Sequence, residues 1–277
     1  MFTFPTCHSS GGDVDVLDSV ISSVCCDLDA TISASYGGSG QTWANLIASP
    51  ADGAAQTDYD FFLGADGDVS TDDPTFTGTA GSNTAYWAMD GGDDWHSVVE
   101  TNPPLMNIMH RTSSGSNFWI AAAFRFADGG FQMVFSNMGP IFVNGVEIFV
   151  SETQSGNGVR VNIARSGTFI NNNFATGDLV DGTDYLLIVS GDTASTDDLR
   201  VWLNTTTAIT DTDMNTNTSS ADASELGAIA SRPDESFRPK NGTRYYHFSM
   251  GNEYLDDTKA ALIFSHLETR HSKDYTP

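Results

Sequence analysis

The sequence predicts an all-β protein built as one antiparallel sandwich, and three observations carry that reading. From Cys25 onward, short apolar, β-branched or aromatic segments recur between Gly, Asn, Asp and Ser. Several alternate: Val159-Arg160-Val161-Asn162-Ile163 sorts its aliphatic and polar residues onto opposite faces. Strand signals never trade places with helical ones, and no fixed period repeats, which excludes a βαβ fold and a solenoid. With 277 residues, 39% hydrophobic and 11% aromatic, one large sandwich with a sizeable core fits the chain.

Residues 1–24 read as a polar N-terminal arm that precedes a domain over 25–277. Its apolar patch, Val14, Val16, Leu17, Val20 and Ile21, is too small to fold alone. The arm is therefore expected to lean on the domain or to attach to a partner protein or sister subunit. Strands are expected near Cys25–Ala30, Ala85–Asp90, Phe118–Phe126, Phe131–Ser136, Gly145–Ser151, Gly158–Ile163, Tyr185–Gly191, Leu199–Leu203 and Arg244–Met250. Asn144-Gly145 and Asp181-Gly182 supply turns between them. The polar Asp211–Ser224 tract reads as a surface loop. One helix closes the chain: Asp256 caps it, Leu255 and Ala260 can staple it, and Ala260, Leu262, Ile263 and Leu267 form its apolar stripe. Arg270, His271 and Lys273 suit its C-terminal dipole.

Charge narrows function. Against 36 Asp+Glu stand only 12 Lys+Arg, a formal charge of −24. Phosphate binding depends on Lys and Arg, so a nucleic-acid partner is excluded, and anionic membranes repel such a surface. No apolar run nears the ~18–20 residues of a membrane-spanning helix. Met1–Asp13 has neither the basic start nor the apolar core of a secretory leader. Cys7, Cys25 and Cys26 are odd in number and lack metal-ligand spacing, so reduced thiols are expected, with a bridge from Cys7 to one of the pair as the alternative.

Several segments together resemble the concanavalin-A-like lectin/glucanase superfamily, in the laminin-G-like form found in bacteriophage and prophage proteins. They are Cys26-Asp27-Leu28-Asp29-Ala30 with Gln41-Thr42-Trp43-Ala44-Asn45-Leu46, then Asp73-Pro74-Thr75-Phe76-Thr77-Gly78, then Ala85–Asp93. Asp198–Asn204 is similar to a hairpin of that family, with Thr205 where a glycine usually stands, and Tyr254–Arg270 to its closing helix. The resemblance covers roughly residues 25–272. It implies a jelly roll of two curved antiparallel sheets, and a fold that hosts lectins, glycosidases and structural modules alike.

Each candidate constellation has a plain alternative. Glu147 and Glu152 have the spacing of the family's catalytic glutamates, but Phe149 stands where the middle Asp belongs, and residues five apart on a regular strand face opposite ways. They read as two solvated glutamates, and the protein as no enzyme. The six histidines read as single surface or half-buried residues. Asp66, Asp68 and Asp72 have the density of a Ca²⁺ loop without an EF-hand's Gly and Glu, and Asp90, Asp93 and Asp94 near Asn102 form a second acidic set. No other cofactor is expected. Trp95, with Asp93 and Asp94 beside it, and Tyr86, Tyr245 and Tyr246 are the aromatic candidates for stacking on sugar rings. The expectation is a non-catalytic virion surface protein, a capsid decoration, fibre or tail component. It binds other virion proteins through its arm, with homo-oligomers and host-surface glycan as further partners. A free lectin module is the alternative, and a glycoside hydrolase the remoter one.

Overall fold

The computed structural model describes residues 15–99, 101–112, 116–152, 158–193, 198–211, 217–233 and 237–276. Their strands are, in order, β1 (Val24–Asp29), β2 (Thr42–Trp43), β3 (Phe61–Leu63), β4 (Thr75–Thr77), β5 (Tyr86–Ala88), β6 (His96–Val98), β7 (Phe118–Arg125), β8 (Gln132–Ser136), β9 (Gly145–Val150), β10 (Val159–Arg165), β11 (Thr168–Phe174), β12 (Asp184–Asp192), β13 (Asp198–Leu203), β14 (Ile209–Asp211), β15 (Ala228–Ile229) and β16 (Arg244–Gly251). The α-helices are α1 (Pro104–Ile108) and α2 (Asp257–His271), with short 3-10 turns at Leu17–Ser19 and Gln56–Tyr59. All nine strands expected from the sequence are present: β1, β5, β7 to β10, β12, β13 and β16.

The strands form two antiparallel sheets of eight. The first runs β14-β13-β12-β7-β16-β5-β4, with β1 also on β16. The second runs β11-β10-β9-β8-β15-β6-β3-β2. Alternation sets the core between them. Ile120, Ala122 and Phe124 of β7 and Phe248 and Met250 of β16 meet Val146, Ile148 and Val150 of β9 and the aliphatic face of β10.

β7 is apolar on both faces because both are covered. Its other residues, Trp119, Ala121 and Ala123, lie with Leu186, Ile188 and Trp202 beneath α2. The small alanines let the helix come close. Asp256 caps α2 by accepting from the Lys259 N–H at 2.9 Å, and Leu255 and Ala260 are both buried. The buried stripe is Ala260, Ile263, Phe264 and Leu267. Leu262, expected inward, is 44% exposed: the i, i+3, i+4, i+7 series starting at Ala260 passes through Phe264 instead. At the Asp198–Asn204 hairpin, Asn204 takes the left-handed conformation (φ 50°), so the following Thr205 needs no glycine.

Part of the arm also lies here. Leu17, Ile21 and Val24 are buried in the same cluster as α2, and Val16 and Val20 pack against it; Val14 lies outside the described residues. The described part of the patch expected to attach to a partner, Val16, Leu17, Val20 and Ile21, thus finds apolar cover in its own chain. Cys25 and Cys26 are buried free thiols, and burial, helped by nearby Asp52, pushes Cys25 up to about 12. No helix among the described residues is long and apolar enough to cross a membrane.

Candidate functional site

The outer face of the second sheet carries a groove of about 330 Å³. β9 reads Gly145-Val146-Glu147-Ile148-Phe149-Val150; since its even-numbered residues fill the core, Glu147 and Phe149 must point outward. Across the ladder, Glu147 faces Asn162, Asn162 faces Asn171, and Phe149 faces Arg160. Phe131, Phe142, Phe169 and Phe237 complete an aromatic lining. Phe142 stacks on Phe169 with centroids 4.2 Å apart, and Phe149 meets Phe237 edge-on at 5.3 Å. Arg160 lies over Phe131 at 4.5 Å, and Arg232 over Phe237 at 4.8 Å.

Glu147 lies behind this lining, held by two of its residues. It is fully buried, accepting from Arg232 Nε at 2.6 Å and from Asn162 Nδ2 at 3.1 Å. That corrects the expectation of a solvated glutamate: the aromatic side chains around it exclude water, and a buried carboxylate needs such partners. Asn162 is 4% exposed, and its Oδ1 has no hydrogen-bond partner among the described residues. A buried acceptor left open is uncommon and calls for a donor. Two lining residues hold unfavourable backbone: Phe142 (φ 52°) and Phe237 (φ 58°) are both left-handed. For bulky residues this costs about 1–3 kcal/mol each and concentrates at functional sites.

A second polar constellation lies under α2. Arg270 donates to Asp27 Oδ1 and Asp29 Oδ2, both at 3.0 Å, and its other nitrogen to Asp27 Oδ2 at 3.1 Å. His271 Nε2 lies 3.0 Å from Asp29 Oδ2, and His247 Nδ1 3.3 Å from the same oxygen. Burial alone would raise both carboxylates; for Asp27 the Arg270 guanidinium, and for Asp29 the His271 ring, lead the groups that hold them below the usual range. His247 is pushed down, chiefly by burial. These histidines converge rather than lying singly, because β16 and α2 both pack against β1. Asp29, His247 and His271 bring ligand atoms within 4.8 Å of one another, yet Arg270 already occupies the shared oxygen, so the set fits a structural clamp better than a cation.

The residues singled out from the sequence are spread over other parts of the molecule. Trp95 is only 6% exposed and offers little surface for stacking. The two acidic stretches do meet: Thr71 Oγ1 donates to Asp93 at 2.8 Å, and the Trp95 N–H to the Asp72 carbonyl at 3.2 Å. The Asp66 and Asp72 carboxylates close their own loop, on the Asp68 and Ala65 N–H groups, each at 2.8 Å. Oxygens of Asp90, Asp93 and Asp94 come within 4.8 Å of one another, an oxygen set that could hold a hard cation. Burial, with Asp90 and Asp93 adding to it, raises Asp94 to about 6. Asn102 is engaged elsewhere, with Glu225 and Gly227. Tyr245 is in the core, its hydroxyl on the Met133 carbonyl at 2.9 Å. Tyr86 and Tyr246 line a separate hollow on the first sheet. Sequence reasoning missed the groove itself, though the shared facing of Glu147 and Phe149 was a readable signal.

No protein-family model matches the chain, and no curated protein sequence matches it. Solved structures do resemble it in shape. The binding domain of Paraclostridial Mosquitocidal Protein 1 matches with TM-score 0.57 at 12% identity, over 88% of this chain and 52% of that one. A botulinum neurotoxin type C structure, whose cell entry is described as dependent upon interaction with two ganglioside molecules, gives 0.54 at 10%, over 91% and 53%. Trypanosoma rangeli sialidase in complex with the inhibitor DANA gives 0.50 at 8%, over 86% and 32%. This chain therefore spans about half or less of the chains it resembles. At such identities the likeness establishes the fold, an all-β sandwich.

Proposed function

We propose that this protein is a non-catalytic carbohydrate-binding sandwich that seats a saccharide in the phenylalanine-lined groove. The observation that carries this is the unsatisfied Asn162 Oδ1 on the floor of an aromatic cleft. A sugar presents apolar C–H faces to aromatic rings and hydroxyl donors to open acceptors, and this groove offers both. Asn171, exposed and paired with Asn162 across the ladder, adds an amide at the rim. Among proteins of like shape, a neurotoxin whose cell entry depends on two ganglioside molecules and a sialidase support the same ligand class. Glu147, tied to Arg232 and Asn162, serves in this reading as an anchor for the floor.

A glycan array, followed by calorimetry on the best binder, tests it. Asn162→Leu should weaken that binder about fivefold, the worth of one hydrogen bond near 1 kcal/mol, and lower stability by about 1–3 kcal/mol because buried Glu147 loses its Asn162 donor. Binding of apolar aromatic compounds but of no glycan would overturn the saccharide reading, since five phenylalanines without a Trp or Tyr also suit such ligands. The finer setting, a surface protein of a phage particle, rests on the motif resemblance and the acidic surface. Mass spectrometry of purified particles tests it, and absence of the chain from them would end it.

A further inference from the structure

From the hollow on the outer face of the first sheet we infer a second binding site, for a small organic carboxylate. It has a volume of about 270 Å³ and is walled by Tyr86, Tyr246, Arg125, Arg244 and Lys273. Three of the chain's twelve basic residues thus meet in one place, on a protein of formal charge −24. Arg244 of β16 and Arg125 of β7 are direct register partners, and Asp184 of β12 is the next in the row. Like charges opposite each other across a ladder repel, so this arrangement is unfavourable unless anions share it.

One carboxylate does share it, and it is fully engaged. Asp184 accepts from Arg125 at 2.8 and 3.1 Å, from Lys273 at 2.5 Å and from the Tyr246 hydroxyl at 2.9 Å. Burial would raise Asp184, but these donors hold it down at about 2, so it stays charged and bound to Arg125 and Lys273. Arg244 is left over. Its guanidinium lies 4.5 Å above the Tyr86 ring and makes no salt bridge among the described residues. Of the three cations in the hollow, half-buried Arg244 is thus the one with no carboxylate partner among the described residues, on a chain with 36 acidic side chains. A guanidinium held over a ring by its π face still has its N–H edge to offer, and that edge fits a planar carboxylate through two parallel bonds. Asn83, whose amide donates to Ser272 Oγ at 3.0 Å, and Thr84 line the same hollow with polar groups. The ligand class is a small carboxylate, whose source is either an acidic sugar residue or a free carboxylic acid. This site stands apart from the groove and does not depend on it.

NMR titration of the full chain, read at the amides of Tyr86, Arg125, Arg244 and Lys273, separates the possibilities. The probes are sodium glucuronate, sodium acetate, inorganic phosphate and glucose at constant ionic strength. Saturable shifts with glucuronate are expected, and none with glucose. Shifts with acetate as well assign recognition to the carboxylate alone; glucuronate without acetate assigns it to the acidic sugar. Arg244→Gln should weaken glucuronate about tenfold or more, and Arg244→Lys, which keeps charge but loses the fork, by less. Asn162→Leu should leave glucuronate unaffected. No saturation with either carboxylate, phosphate binding equal to glucuronate, or a folded Arg244→Gln that binds like the parent would overturn the site.

Discussion

The two outer faces of this sandwich solve the same problem in opposite ways. Both sheets send charged side chains outward to positions that end up buried: Asp27 and Asp29 on the first, Glu147 on the second. On the first face, α2 and the segment from Leu17 close over the charges and supply counter-groups from the far end of the chain. On the second, a few phenylalanines surround Glu147 and Arg232, the floor keeps an unused acceptor, and the cleft stays open. Where a face is closed by buried ion pairs it secures the fold, whereas an open cleft with an unused acceptor and strained rim residues suits a ligand.

The largest expected effect breaks the closed face. Arg270→Met leaves two buried carboxylates facing each other without their guanidinium. It should cost about 3–5 kcal/mol in urea unfolding, the usual penalty for orphaning a buried charge. A loss under about 1 kcal/mol would mean that the clamp contributes little to α2 docking.

Acid should separate the two faces next. His96, packed between Trp43 and Trp87, is held neutral by burial and pulled down to about 3. His110 falls to about 4 for the same main reason. The unfolded chain takes up these protons near the ordinary value of about 6.5, so stability is complete above that and declines as pH falls toward 3–4. Asp27 and Asp29, lowered in the fold, add a second loss below about pH 4. No histidine lines the groove, so glycan affinity of the folded protein should hold at pH 5 while unfolding already comes earlier. Thermal melts and calorimetry at pH 7 and 5 check this, and His96→Phe should flatten the pH 4–6.5 leg.

A smaller effect sharpens the open face. Phe237 is 44% exposed and left-handed, so Phe237→Gly relieves backbone strain of roughly 1 kcal/mol while removing a groove wall. Stability should stay level or rise as glycan affinity falls. Loss of both would make Phe237 a packing residue.

What the sequence made legible follows the physics of period and range. Long strands with alternating faces, such as β10 and β13, stand out, as does the Asp256 cap. β2 and β15 have two residues each, too few to display a period. β11, Thr-Phe-Ile-Asn-Asn-Asn-Phe, has a composition that argues for a loop, and only its pairing along β10 makes it a strand. The clamp was hidden by distance: Arg270 reaches Asp27 across 243 residues. Trp95 drew attention by its neighbours Asp93 and Asp94, yet burial decides what an aromatic can touch, and no local pattern encodes it. The groove was half legible, since alternation puts Glu147 and Phe149 on one face, but Phe142 and Phe237 arrive from loops.

In the proposed function, a saccharide binds on the open face. Chemical-shift mapping with the strongest neutral glycan from an array tests it most directly. Saturable shifts clustered at the amides of Phe149, Asn162, Phe169 and Asn171, with those around α2 unmoved, are the predicted result. Shifts confined to the first sheet, or a bound glycan that leaves these four amides in place, would contradict it.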